Sequence, residues 1–113
     1  MAWVVSQAFE YFFRAAEGAG AAASTDIVSG VHVARVTRDG AELRLTWSTS
    51  SQRLTLEVSH GPPDLPAVGW IELFVAGTAN EVLLEPSEPD VDFESSVSYG
   101  FELMGFRNVV PAA

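Results

Sequence analysis

Acidic residues between positions 81 and 94 are the side chains of this sequence with the clearest capacity for chemistry. Six carboxylates fall in this segment with no basic residue among them: Glu81, Glu85, Glu88, Asp90, Asp92 and Glu94. Carboxylates grouped in this way can bind a cation, attract a basic partner or form the wet face of a strand. The elements that position them decide among these three roles.

A cation site is the least favoured of the three. Alternate residues of a strand lie about 6.6 to 7 Å apart, whereas hard cations take oxygen ligands at about 2.1 to 2.6 Å. Calcium loops with alternating acids also use a glycine at the sixth position, and this sequence reads DVDFES. We therefore predict no metal site and no cofactor.

Residues for nucleophilic catalysis do not come together in the sequence. The chain has no cysteine, and the adjacent Ser59 and His60 would point to opposite faces of a strand. His32 is better explained as a strand residue with an ordinary partner than as a catalytic base. The glycines at 18 and 20 follow a predicted helix, unlike those of phosphate-binding loops, which follow a strand. The sequence predicts no catalytic residue and favours a binding protein over an enzyme.

The negative charge is confined to the second half of the chain. The net charge is −9; residues 1–53 carry five acids and five arginines, and residues 54–113 carry ten acids and one arginine. Such a surface repels phosphate backbones and anionic membranes, so we expect a basic protein partner and neither nucleic acid nor membrane. The lack of cysteine favours the cytoplasm, and the use of arginine without lysine favours a GC-rich bacterial genome.

The N-terminal segment predicts an amphipathic helix over about residues 3–17, followed by a flexible connector over about 18–25. Its apolar residues fill an arc of roughly 200°, wider than the roughly 100° stripe that packing on one sheet requires. Two explanations stay open: a homodimer through this wide apolar face, or cover from the same chain.

A period of two begins at about residue 27 and predicts strands. The runs are IVSGVHVARVTR, ELRLTWS, RLTLEVS, WIELFVA, EVLLE and a long run from Asp90 to Leu103. Asp39-Gly40 predicts a tight two-residue turn. The predicted fold is α+β, with the helix packed on an antiparallel meander of about six strands in one domain spanning residues 1–113.

Two functions are consistent with these patterns. The first is a non-enzymatic interaction or regulatory protein of bacterial type, which docks a basic partner through its acidic C-terminal half. The alternative is a small-molecule-binding protein or small enzyme with an apolar pocket between helix and sheet. We expect that pocket to be lined by Phe9, Phe12, Trp47, Phe74 and Tyr99. The helix-then-meander order resembles, in architecture alone, small interaction modules such as secretion chaperones and toxin-neutralising proteins.

Overall fold

Two helices and six strands make up the fold of the described residues. The computed structural model of the chain describes residues 3–59, 69–86 and 92–106. The elements in chain order are α1 (Val5–Gly18), β1 (Ser24–Val28), β2 (Val31–Arg38), β3 (Ala41–Ser48), β4 (Arg53–Ser59), β5 (Trp70–Ala79), β6 (Val82–Pro86) and α2 (Phe93–Leu103). The predicted α+β class, with an N-terminal helix on an antiparallel meander, is confirmed.

The sheet follows the chain, with strand order β1-β2-β3-β4-β5-β6 and antiparallel pairing throughout. Short turns make this order possible. The predicted Asp39-Gly40 turn is present, with φ of 50° and 82°; positive φ at both positions matches the right-handed twist of the flanking strands. Ser29-Gly30 makes a second turn of this kind, with φ of 51° and 78°. The predicted single strand over residues 27–38 is therefore wrong, since this turn divides it between β1 and β2.

The predicted strand from Asp90 to Leu103 is also wrong, because residues 93–103 form α2. Phe93, Val97 and Phe101 are spaced four residues apart, and all three are buried. This spacing places them on one face of a helix, although it also fits one parity of a strand. Both helices pack on the same side of the sheet, α1 on β2 and β3 and α2 on β4 and β5.

The second helix covers part of the wide apolar face of α1. The rings of Phe12 and Phe101 lie 5.7 Å apart, and those of Tyr11 and Phe93 lie 5.9 Å apart. Trp3 packs edge-on against Phe93 at 5.5 Å. The same chain therefore covers much of the surface that motivated the dimer hypothesis for α1. That hypothesis stays a prediction.

Candidate functional site

The predicted acidic set does not form a strand face. Asp92 and Glu94 lie at the start of α2, and Glu81 lies in the turn between β5 and β6. The side chain of Glu85 and the whole of Glu88 and Asp90 lie outside the described residues.

Asp92 has a structural role as the N-cap of α2. Its Oδ1 accepts a hydrogen bond from the backbone N–H of Ser95 at 2.7 Å, and its Oδ2 accepts one from the Ser95 hydroxyl at 3.0 Å. Glu94 follows in the first turn, where a carboxylate interacts favourably with the helix dipole. Capping explains Asp92 and the helix dipole explains Glu94, so neither acid requires a binding partner.

A depression beside α2 holds the other residues of this region that can bind ligands. Its lining residues are Tyr11, Glu94, Ser95, Ser98, Tyr99 and Glu102, and its volume is ≈ 340 Å³. Burial raises the pKa of Tyr11 above its ordinary value of 10.0, and the Glu94 carboxylate raises it further. The Ser98 side chain acts in the opposite direction, and Asp92 adds a smaller upward shift. The depression is acidic and rich in hydroxyl groups.

The predicted pocket residues do not line one cavity. Phe12 and Phe74 are core residues, 0% and 5% exposed. Tyr99 is exposed on α2 and belongs to the depression just described. Phe9 and Trp47, however, line one cleft between α1 and the sheet. The structure thus brings two of the five residues together.

This inner cleft lies at the N-terminal end of α1 and has a volume of ≈ 210 Å³. It is lined by Val5, Ser6, Phe9, His32, Trp47 and Glu81. His32 and Trp47 are cross-strand partners, and their rings lie 5.3 Å apart. Glu81, a member of the predicted acidic set, thus lies at the edge of an aromatic cleft.

Hydrogen bonds hold the indole ring of Trp47 in place. Its Nε1–H donates to the Thr78 hydroxyl at 3.1 Å, and that hydroxyl donates to Oε1 of Gln52 at 3.2 Å. Trp47 is 7% exposed, and Thr78 is buried beside it. Because its only donor is satisfied inside the protein, Trp47 gives the cleft a fixed apolar wall.

An outer cleft of ≈ 560 Å³ adjoins the inner one and shares Phe9 and His32 with it. Its other lining residues are Thr25, Asp26, Ile27 and Val33. We call the two clefts together the α1 groove. Glu81 lines the inner cleft, and the described lining residues of both clefts include no lysine or arginine. Asp26 borders the outer cleft, but its register partner Val33 lies on the sheet face away from the helices, so the Asp26 side chain is on that face.

Sequence reasoning missed Asp26 and Ile27 as site residues. Ile27 is 65% exposed although it is large and apolar. The Asp26 Oδ1 accepts a hydrogen bond from the adjacent Ile27 N–H at 2.8 Å. No signal in the sequence links them to Trp47 or Glu81, because only the strand register and the path of α1 bring these positions together.

Comparisons with known proteins add no function. No family model, curated protein or solved structure matches the chain. In residues 3–59, 69–86 and 92–106, no three metal-ligating side chains come together. Nor does this part of the chain contain a helix long and apolar enough to cross a membrane.

Proposed function

We propose that this chain is a non-enzymatic interaction protein that binds a basic partner through the α1 groove. The observation that supports this most strongly is the composition of the groove. Aromatic and aliphatic side chains form its walls, the inner cleft carries the Glu81 carboxylate, and the described lining holds no lysine or arginine.

The preferred ligand combines an apolar body with a cationic end. Phe9 and Trp47 offer apolar surface to the body, while Glu81 attracts the cation. The inner cleft, at ≈ 210 Å³, is smaller than the roughly 300 to 1,000 Å³ typical of sites for drug-sized molecules. The inner cleft therefore suits one side chain of a protein partner, while the outer cleft, at ≈ 560 Å³, has room for the rest of a partner segment or for a small molecule.

A second candidate surface is the depression beside α2, which keeps the original proposal of docking through the acidic C-terminal half. Glu94 and Glu102 stand beside Tyr11 and Tyr99 there, and carboxylates next to aromatic rings also suit a cation. We rank it second because Asp92, the acid next to it, already caps the helix. The two surfaces give distinct binding signals and can be separated in one experiment.

The test is a titration of the ¹⁵N-labelled full chain with phenethylammonium, followed by amide chemical shifts. The neutral analogue 2-phenylethanol and the anionic analogue 3-phenylpropionate serve as matched probes. We expect the largest shifts at Phe9, His32 and Trp47, with affinity falling from cation to alcohol to carboxylate. Glu81→Gln should weaken binding of the cation by about two- to fivefold, the range of a solvent-exposed charge pair, and leave the alcohol unaffected.

The control variant is Glu17→Gln, which makes the same change in net charge at an exposed position. Glu17 lies eight residues beyond Phe9 on α1, about 12 Å along the helix, and should leave all three affinities unchanged. Equal affinities for the three probes would contradict the proposal. Shifts centred on Tyr11 and Tyr99 would instead assign binding to the depression beside α2.

A further inference from the structure

The sheet face turned away from both helices carries an ordered row of charges. Arg35 of β2 lies opposite Arg44 of β3, Arg44 lies opposite Glu57 of β4, and Glu57 lies opposite Glu72 of β5. Partners in register point to the same side of a sheet, so the four side chains form one row. From β2 to β5 this row carries two positive charges and then two negative charges. We call it the charge row and the surface that carries it the open face.

The charge row is incompletely paired among the described residues of one chain. Arg44 Nη2 lies 3.5 Å from Glu57 Oε1, and the Arg44 guanidinium stacks 3.9 Å from the centre of the Trp70 ring. Within the part of the chain that the structure describes, Arg35 and Glu72 form no ion pair, and the buried Nε of Arg44 has no hydrogen-bond partner. Like charges directly opposite each other on a sheet are destabilising, and this row contains two such pairs.

The charge row is self-complementary under a two-fold axis that lies in the plane of the face, parallel to the strands and between β3 and β4. Rotation about that axis gives a second copy whose strands run across the contact in the reverse order, while each residue keeps its position along the strand direction. Arg35 then faces the partner's Glu72, and Arg44 faces the partner's Glu57. A two-fold axis perpendicular to the strands would instead place arginine on arginine, so the charges select one of the two orientations.

A neighbouring row of apolar and β-branched residues fits the same axis. Val33, Thr46, Thr55 and Val75 are consecutive cross-strand partners on the open face. The rotation places Val33 on the partner's Val75 and Thr46 on the partner's Thr55. These side chains bring no charge into the centre of the contact. Thr46, Thr55 and Val75 are half-buried and offer surface to the partner, whereas Val33 is 8% exposed and adds little.

The size of the open face suffices for a stable contact. Six strands about 4.8 Å apart and about 25 Å long present on the order of 600 Å² per chain, or about 1,200 Å² for two chains, the low end of specific interfaces. Both helices lie on the opposite side of the sheet, so they do not obstruct it. We infer that the chain forms an isologous homodimer through the open face, sheet against sheet, with each charge row paired to that of the second copy.

The dimer can be tested separately from the proposed function through Arg35 and Glu72, which line neither cleft of the α1 groove, although Val33 borders both surfaces. It is tested by sedimentation equilibrium of the full chain from about 5 to 500 µM, a range that brackets micromolar affinities. Three variants accompany the wild type: Arg35→Glu, Glu72→Arg and the double charge swap. The control is Arg14→Glu, which makes the same charge change on exposed α1. Circular dichroism establishes that each variant is folded.

We expect the wild type and the control to dimerise. Each single reversal changes two symmetry-related contacts and should weaken the dimer at least about tenfold, since like charges brought together at an interface are strongly unfavourable. The double swap should restore the dimer. Raising NaCl from about 0.1 to about 1 M, which shortens the Debye length from about 10 to about 3 Å, should also weaken it.

Three results would overturn the inference. One is a monomeric wild type at every concentration. Another is a dimer that both single reversals leave intact, which would place the contact elsewhere, for example on α1. The third is a dimer that the reversals abolish and the double swap does not restore.

Discussion

Gly100, in the middle of α2, offers a quantitative test of how this helix packs on the sheet. A Cβ at this position would lie 2.6 Å from Leu43 Cδ1, 3.2 Å from Leu43 Cδ2 and 3.1 Å from Leu73 Cδ1. Leu43 is 0% exposed and has little room to move. The absence of a side chain at residue 100 therefore lets α2 pack directly against the Leu43 side chain of β3.

Two opposing terms determine the effect of Gly100→Ala. Alanine stabilises a helix interior by about 1 kcal/mol relative to glycine, while overpacking a filled core costs about 1 to 3 kcal/mol. We expect the clash to dominate and the variant to lose about 1 kcal/mol of unfolding free energy. Leu43→Val removes both Cδ atoms and should cost about 1 kcal/mol by itself. In that background Gly100→Ala should stabilise the protein by up to about 1 kcal/mol.

The assay is equilibrium unfolding in urea of the wild type, the two single variants and the double variant. With a slope of about 2 kcal/mol per molar urea, a change of 1 kcal/mol moves the midpoint by about 0.5 M. The diagnostic result is that Gly100→Ala lowers the unfolding free energy of the wild type and raises that of the Leu43→Val protein. If Gly100→Ala stabilises the wild type as much as it stabilises the Leu43→Val protein, α2 does not approach Leu43 as described.

Three further predictions concern single contacts. Asp92→Ala removes the N-cap of α2 and should lower the unfolding free energy in urea by about 1 kcal/mol, with Asp92→Asn close to wild type; equal losses for both variants would contradict the cap. Thr78→Val leaves the indole N–H of Trp47 buried without an acceptor and should cost about 1 to 3 kcal/mol, whereas Thr78→Ser should cost clearly less. The raised pKa of Tyr11 means that the folded state holds its proton longer than the unfolded state does, so stability should fall as pH rises above the ordinary value and through the folded-state pKa. Ultraviolet titration should show that Glu94→Gln moves the pKa of Tyr11 down; an unchanged value would exclude the Glu94 effect.

The sequence predicted the parts of the fold whose periodicity fits a single type of element. The helix α1 and strands β3 and β4 carry clear patterns, and the Asp39-Gly40 turn follows from backbone preference alone. The sequence predicts a strand in place of α2 because the spacing of Phe93, Val97 and Phe101 fits both the strand period of two and the helix period of about 3.6 residues. Asp92, with Ser95 three residues later, was the local signal of a helix start.

The α1 groove could not be predicted, because its walls come from residues far apart in the chain. The structure places Phe9 and Trp47, two of the five predicted pocket residues, in one cleft. Ile27 and Glu81 join them only through the β1–β2 register and the turn that precedes β6. The charge row has the same origin: Arg35 and Glu72 become ends of one line only when four strands are placed in register.

The most direct test of the proposed function is a set of intermolecular nuclear Overhauser effects between phenethylammonium and the full-length protein. The α1 groove predicts contacts from the phenyl protons to the rings of Phe9, His32 and Trp47, with the ammonium methylene near Glu81. Contacts confined to Tyr11 and Tyr99 beside α2, or none at saturating ligand, would contradict it.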